Sequence, residues 1–98
     1  MGGGDASRRT VRVRIEGLVQ GVGFRVWVER TARRIGLDGW VRNRRDGGVE
    51  AVLSGEPQLV EAMIGRCHQG PPASSVQFVK VLEETELPAP GFQVLPTV

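Results

Sequence analysis

The sequence has little of several residue types that often carry chemistry. It contains one cysteine, one histidine and no tyrosine. Because a disulfide needs two cysteines, an intramolecular disulfide is excluded. Cys67 and His68 stand side by side, and this pair cannot complete a zinc site, which usually takes about four ligands. The pattern favours a small buried hydrophobe for Cys67 rather than a catalytic thiol. For His68 it favours a place near a helix end, where a cation meets the carbonyl end of the helix dipole.

Long apolar runs are also missing. No run approaches the roughly 20 residues that a membrane-spanning helix needs, and the opening stretch MGGGDASRR has no apolar segment of the signal-peptide type. We therefore expect a cytoplasmic protein with no membrane partner. The chain has 98 residues, within the usual size of one domain. Residues 1–9 are predicted to form a flexible tail, and residues 10–98 a single domain.

Lysine is scarce as well, since Lys80 is the only lysine among 13 basic residues. The other basic residues are arginines, and the formal net charge is +2. So small a net charge does not require a nucleic-acid partner. Clusters of arginine would still attract small anions locally.

Hydrophobic periodicity divides the chain into strands and helices. Val11, Val13 and Ile15 alternate with charged residues, which predicts a strand with one wet face. Apolar residues recur at helical spacing after Phe24 until Gly36, which is placed to end the helix. The predicted elements are strand 10–16, helix 24–35, strands 37–43 and 49–55, helix 57–67 with an apolar face of Leu59, Ala62, Met63 and Cys67, strand 76–83 and a short strand 92–95.

The element order is βαββαβ with a short last strand. An Asp-Gly pair at Asp46 and Gly47 is a strong hairpin signal between the second and third strands. This order predicts an α+β fold of the split βαβ or ferredoxin-like type. We expect a four-stranded antiparallel sheet with two helices on one face, and the other face open to water or a ligand.

The stretch GLVQGVGFR, residues 17–25, joins the first strand to the first helix. Gly21 and Gly23 could turn neighbouring N–H groups toward one anion, and Arg25 could grip two phosphate oxygens at once. The absence of GxxxxGK[ST] excludes a nucleoside-triphosphate P-loop, and the element order lacks the successive parallel βαβ units of a dinucleotide site. From these residues alone, a structural turn and an anion site both stay open.

The loop and the later stretch GLDGWVRNRRDGGVE, residues 36–50, together resemble the acylphosphatase family. The family pattern reads GxVQGVxFR in the loop and GLxGWVxNxxDGxVE across the hairpin, and both parts are present in order. The resemblance extends from residue 11 to about residue 95 and includes the Gly-Pro pair at Gly70 and Pro71. One departure is Leu18, where the family often has arginine, and this puts only an accessory charge at the loop mouth in doubt.

The resemblance implies hydrolysis of a small-molecule acyl phosphate to a carboxylate and inorganic phosphate, without a metal or organic cofactor. It implies that Arg25 and Asn43 are the catalytic residues. The implied phosphate cradle is the backbone of Val19, Gln20, Gly21, Val22, Gly23 and Phe24. We expect the protein to act as a monomer.

Several alternatives stay open on the residues alone. Asn43 could cap the hairpin through its side chain, and Arg25 could be a solvated helix arginine. The same fold serves nucleic-acid-binding modules, but the sequence has few aromatic residues and no RNP-like run. A non-catalytic or carbamoyl-phosphate-handling domain of a larger protein is the other alternative. The short chain and the presence of both Arg25 and Asn43 favour a free-standing enzyme.

Overall fold

The computed structural model describes residues 8–98. These residues form β1 (Arg9–Leu18), α1 (Phe24–Ile35), β2 (Asp38–Asn43), β3 (Val49–Gly55), α2 (Pro57–Gln69), β4 (Ser75–Glu83) and β5 (Phe92–Val94). The predicted order of elements is confirmed, and the bounds differ from the prediction by two residues at most.

The predicted flexible tail, residues 1–9, falls mostly outside the described residues, which begin at residue 8. Arg9, which the sequence analysis assigned to that tail, is the first residue of β1. Arg8 is tied to the fold as well, because its Nη2 lies 2.7 Å from Asp38 Oδ2. The ordered domain therefore begins before residue 10.

The described strands form a five-stranded mixed sheet in the order β4-β1-β3-β2-β5. The first four strands pair antiparallel, as predicted. The expected sheet of four antiparallel strands is wrong in one respect, because β5 forms a fifth strand that pairs parallel with β2. Phe92 of β5 is almost fully buried, and its carbonyl oxygen accepts a 2.8 Å hydrogen bond from Arg33 Nη2. These interactions hold a three-residue strand at the sheet edge.

Both helices cover the same face of the sheet. α1 packs mainly on β2 and β5, and α2 packs mainly on β4 and β1. The core lies between this helical layer and the sheet, where Val11, Val13 and Ile15 are fully buried as the alternation predicted. The fold is thus the predicted ferredoxin-like α+β sandwich, with an added edge strand.

The buried face of α2 differs from the predicted one. Val60, Met63, Ile64 and Cys67 are buried, whereas Ala62 is exposed. The buried positions follow the i, i+3, i+4, i+7 spacing of an amphipathic helix, so the predicted face was rotated by part of a turn. Neither helix in residues 8–98 is long and apolar enough to cross a membrane.

Cys67 is a buried hydrophobe, as predicted. Burial raises the pKa of its thiol to about 12, so the thiol stays protonated at neutral pH. A nucleophilic thiol would have to be ionised, and usually lies in a partly exposed, electropositive place. His68 is exposed and lies in the last turn of α2, where the sequence placed it.

Candidate active site

The loop between β1 and α1 combines two left-handed glycines with a normal residue between them. Gly21 has φ +74° and Gly23 has φ +79°, whereas Val22 has a negative φ. No atom lies within 4 Å of where a Cβ would stand on either glycine, so backbone conformation rather than space requires glycine here. Alternating backbone conformations of this kind can turn successive N–H groups toward one anion.

Apolar side chains fix the loop to the core at both ends. Val19 is 1% exposed and Phe24 is 2% exposed, and Val22 packs against the core from the middle of the loop. Phe24 also meets Trp27 edge to face, with ring centroids 5.4 Å apart. Val19 and Val22 thus anchor the loop to the core and keep its exposed backbone in place.

The N-terminus of α1 carries unsatisfied positive charge. Its N-cap is Gly23, which offers no side-chain oxygen, and no acidic residue lies in the first turn. The first N–H to find a partner in the helix is that of Trp27, which donates to Gly23 O at 3.0 Å. The N–H groups before it point out of the helix end with a partial positive charge.

Arg25 adds a full charge at the same place. It is half-buried and makes no ion pair or side-chain hydrogen bond with any of residues 8–98. A cation at the N-terminus of a helix opposes the helix dipole, and an ordinary surface arginine gains nothing from that position. A bound anion would satisfy Arg25 and the free N–H groups together.

Asn43 ends β2 and is paired with Val49 in the hairpin. The side chains on either side of it, Arg42 and Arg44, both donate to Glu50 Oε1, at 2.9 Å and 3.2 Å. Because side chains alternate between the faces of a strand, Asn43 lies on the opposite face, the one that the helices cover.

The hairpin turn is capped by a residue other than Asn43. The Asp46 Oδ1 accepts a 3.0 Å hydrogen bond from Gly48 N–H, which is the capping interaction that the sequence left open for Asn43. The Asn43 side chain makes no hydrogen bond with any of residues 8–98, and Asn43 is half-buried. Its amide is therefore available to a water molecule or a ligand.

Glu50 lies on the open face of this hairpin and accepts hydrogen bonds from three arginines. Its carboxylate is nearly buried and also accepts a 2.6 Å hydrogen bond from Arg12 Nη1. Burial acts to raise the pKa of Glu50, but the hydrogen bonds from Arg12 and Arg42 outweigh it and hold the pKa below its ordinary value. The carboxylate is ionised at neutral pH, and it fixes the two arginines that flank Asn43.

Gln20 joins the loop to the hairpin. Its Nε2 donates to Arg44 O at 2.7 Å and to Gly48 O at 2.8 Å. The two acceptors lie on either side of the hairpin turn, and Arg44 follows Asn43 directly. Sequence reasoning assigned only the backbone of Gln20 to the site and missed this role of the side chain. The available signal was that Gln20 is the one polar side chain between Val19 and Phe24.

The candidate site residues thus belong to two elements that one side chain connects. A cavity of about 410 Å³ is lined by Arg9, and one of about 260 Å³ is lined by Arg12. Both arginines are paired with carboxylates. Within residues 8–98, no three His, Cys, Asp or Glu side chains group closely enough to hold a metal ion. At the loop, the positive charge without a carboxylate partner is that of Arg25 and the end of α1.

Comparison with known proteins identifies a family and a fold that this chain shares. The acylphosphatase family model matches residues 11–94. An acylphosphatase from Rhizorhabdus wittichii is 48% identical over 99 residues, with the whole of both chains covered. The solved structure of an acylphosphatase from Coxiella burnetii gives a TM-score of 0.91 at 32% identity, over 97% of this chain and 100% of that one.

A larger protein contains a similar unit. Full-length HypF, in its phosphate- and nucleotide-bound form, matches with a TM-score of 0.84 at 29% identity, over 92% of this chain but only 12% of HypF. The relative from Rhizorhabdus wittichii, in contrast, matches along its whole length. The chain belongs to the acylphosphatase family.

Proposed function

We propose that residues 19–25 hold the phosphate group of an acyl phosphate, and that Asn43 orients the water that hydrolyses it. The observation that carries this proposal is the unpaired Arg25 at an uncapped helix N-terminus, directly after a loop with two left-handed glycines. This arrangement attracts a dianionic group and offers it donors from several directions.

The phosphate is held by charge and by geometry. The N–H groups of the loop and of the first turn of α1 bind its oxygens, and the guanidinium of Arg25 binds two of them in parallel. A guanidinium group carries a positive charge at every working pH. As the bond to the leaving group breaks, charge spreads over the phosphoryl oxygens, and these donors are already aimed at them.

The reaction needs little further chemistry. The water oxygen forms a bond to phosphorus while the bond from phosphorus to the carboxylate oxygen breaks. The carboxylate leaves with the electron pair of that bond, and the protons of the water end on the phosphate product and on bulk water. Because a carboxylate is a weak base, its departure does not depend on a general acid.

Asn43 supplies orientation rather than base strength. Its side chain has a carbonyl acceptor and an amide donor group, so its carbonyl oxygen can accept a hydrogen bond from the water and fix where the water lone pair points. Holding the water in line with the breaking bond removes much of the entropic barrier to attack.

The proposal includes no metal and no organic cofactor. Arg25 and the helix end supply the positive charge that a metal ion provides in many phosphoryl-transfer enzymes. Hydrolysis of benzoyl phosphate is therefore expected to keep its full rate in excess EDTA. A rate that falls in EDTA and returns on addition of a divalent cation would contradict this part of the mechanism.

Substitution of Arg25 tests the proposal. With benzoyl phosphate as substrate, Arg25→Ala is expected to lower kcat/KM by about 10²–10³-fold, the usual effect of losing one preorganised charge stabiliser. Arg25→Lys should recover little, because lysine lacks the paired donors of guanidinium. Lys80→Ala is the control, since it removes one exposed cation from β4, away from the loop. Near-wild-type turnover in either Arg25 variant would overturn the assignment.

Nucleic acid is not part of the proposed function. Ferredoxin-like modules that bind RNA stack bases on aromatic residues of the central strands. Here the open face of the central strands β1 and β3 carries the Arg12–Glu50 pair. The nearby ring of Trp40 has the guanidinium groups of Arg12 and Arg42 at 5.4 Å and 4.6 Å from its centroid. These arginines occupy the surface on which a base would stack.

The monomeric state and the cytoplasmic location stay predictions. Static light scattering on the purified chain would test the first, with the mass of a single 98-residue chain as the expected result. A mass of twice that value at micromolar concentration would contradict it. Cell fractionation would test the second.

A further inference from the structure

The distribution of unpaired arginines points to a second feature of the molecule. Within residues 8–98, most arginines have a carboxylate within 4 Å, but three exposed ones that line a single cavity do not: Arg30, Arg34 and Arg66. The cavity measures about 360 Å³ and lies between α1 and α2. We call it the α1–α2 groove. No acidic side chain lines it, so it carries three uncompensated positive charges.

Helix geometry explains why these charges stay unpaired. On a helix, residues three and four positions apart are neighbours. Around Arg30 these positions hold Val26, Trp27, Arg33 and Arg34, none of which is acidic. Arg33, by contrast, has an acidic residue four positions before it and pairs with Glu29 at 3.1 Å.

The groove borders the candidate active site at Gly23, which lines the cavity, but its charged side chains differ from Arg25. Arg25, Glu29 and Arg33 are four residues apart and share one flank of α1, and Arg33 reaches the carbonyl of Phe92 in β5. That flank faces the β2–β5 edge of the sheet. Arg30 and Arg34 line the other side of α1, toward α2. An anion in the groove would therefore leave the Arg25 flank free.

The groove also has an apolar part. Trp27 is half-buried there, held edge-on against Phe24, and Val26 beside it is exposed. The volume lies at the small end of the range for sites that bind small molecules. Guanidinium groups bind phosphate and carboxylate oxygens in pairs, and an indole ring packs well against an apolar or aromatic group.

We propose that the α1–α2 groove binds a small organic anion that carries two or more phosphate or carboxylate groups next to an apolar part. Arg30, Arg34 and Arg66 bind the anionic groups, and Trp27 with Val26 contacts the apolar part. The site adjoins the phosphate loop at Gly23 but uses a different set of arginines, and the proposal does not depend on the hydrolytic activity.

The chain allows a direct measurement of binding. Trp27 and Trp40 are the only two tryptophans, so Trp40→Phe leaves Trp27 as the sole indole, in the groove itself. Arg25→Ala in the same protein suppresses binding of the probe at the loop. Titration of this double variant with inorganic tripolyphosphate, followed by Trp27 fluorescence and by calorimetry, should give a saturable signal that weakens as salt is added.

Substitution of the arginines then locates the ligand. Arg30→Gln, Arg34→Gln and Arg66→Gln in that background are each expected to weaken tripolyphosphate binding about tenfold, as expected for loss of a charged hydrogen bond. Lys80→Gln is the matched control, because it removes one exposed cation from β4 and should leave Kd within about twofold. The arginines are exposed, and circular dichroism would verify that each variant stays folded.

Three results would overturn the proposal. One is no saturable binding up to millimolar tripolyphosphate. Another is an unchanged Kd when all three arginines are replaced, and the third is an equal loss in Lys80→Gln. Adenosine triphosphate, which carries the same oligophosphate on an aromatic base, is expected to bind more tightly in the calorimeter. Equal affinity of the two probes would overturn the part assigned to Trp27.

Discussion

Gln20 is the side chain that keeps the two halves of the candidate site in register. One nitrogen atom, Nε2, donates both of its hydrogens to carbonyl oxygens on either side of the hairpin turn. Arg25 lies five positions further along the loop and Asn43 directly precedes one of the acceptors, Arg44. A change at Gln20 should therefore alter geometry at both residues without touching the phosphate through a side chain.

We expect Gln20→Ala to lower kcat by roughly 10–100-fold, because small displacements of positioned groups are costly in rate. The loss of two hydrogen bonds should lower the free energy of unfolding by about 1–3 kcal/mol. Gln20→Glu should be worse at neutral pH, since a carboxylate would face two carbonyl oxygens. Benzoyl phosphate kinetics and urea unfolding would measure both effects. Gln58→Ala, an exposed glutamine of α2, is the control, and equal behaviour of the Gln20 and Gln58 variants would refute the coupling.

The residues Arg25 and Asn43 could be proposed from the sequence because they stand in two long motifs with family spacing. The roles of the Gln20 side chain and of the Arg12–Glu50 pair could not be, because these residues and their partners are 24 to 38 positions apart along the chain. Nothing local distinguishes a glutamine that bridges two loops from one in solvent. Only the folded sheet brings the hairpin carbonyls within 2.8 Å of Gln20.

The N-terminal end of α1 depends on a close approach from the end of α2. Gly70 follows α2 with φ +66°, and a Cβ placed on it would lie 2.7 Å from Phe24 Cε2. The same Cβ would meet the hydroxyl of Ser74. The Gly-Pro pair that the sequence shares with the family pattern thus leaves room for the aromatic ring that ends the phosphate loop.

Gly70→Ala is expected to lower the free energy of unfolding by about 1–3 kcal/mol, from overpacking and from a left-handed backbone that alanine disfavours. It should also weaken competitive inhibition by inorganic phosphate, because Phe24 must shift. Gly65→Ala provides a control of opposite sign. Gly65 is exposed within α2 with no atom near its Cβ position, so alanine should stabilise the helix by up to about 1 kcal/mol. Denaturant unfolding of both variants measures the contrast, and a stabilised Gly70→Ala would contradict this packing.

The strands and helices themselves were largely predictable. Period-two alternation predicted β1. Gly36 was predicted to end the first helix, and α1 ends there in the structure. The face of α2 was misjudged because Leu59 and Ala62 are apolar yet stand just outside the buried stripe of the helix. The parallel pairing of β5 was out of reach. A three-residue strand is placed by long-range contacts, such as Gly39 N–H donating to Gly91 O at 2.9 Å, rather than by its own pattern.

Across the molecule, the open face of the sheet is covered by ion pairs that centre on Glu50. Its carboxylate receives hydrogen bonds from Arg12, Arg42 and Arg44. The folded state holds the pKa of Glu50 below its ordinary value. Such a group stabilises the fold above its unfolded pKa, and the contribution is lost as the pH falls through the folded pKa.

The free energy of unfolding should therefore stay level near neutral pH and fall as the pH drops below about 4. Glu50→Gln should cost about 1–3 kcal/mol at pH 7, because the partly exposed guanidinium groups of Arg12, Arg42 and Arg44 lose a shared charged acceptor, and it should flatten the acid decline. Glu61→Gln is the control, as the Arg9–Glu61 pair is exposed and worth at most about 1 kcal/mol. Denaturant unfolding from pH 2 to pH 8 gives the comparison, and identical acid profiles for wild type and Glu50→Gln would refute the role given to Glu50.

The central claim is a division of labour between the loop, which holds the phosphate, and Asn43, which holds the water. Its most direct test is to measure kcat for benzoyl phosphate and the competitive inhibition constant of inorganic phosphate in Arg25→Ala and Asn43→Ala. The account predicts that Arg25→Ala weakens phosphate inhibition and lowers kcat together. Asn43→Ala should lower kcat by at least about 10²-fold while phosphate inhibition stays within about threefold of wild type. If phosphate inhibition is lost in Asn43→Ala while kcat survives, or persists unchanged in Arg25→Ala, the account is contradicted.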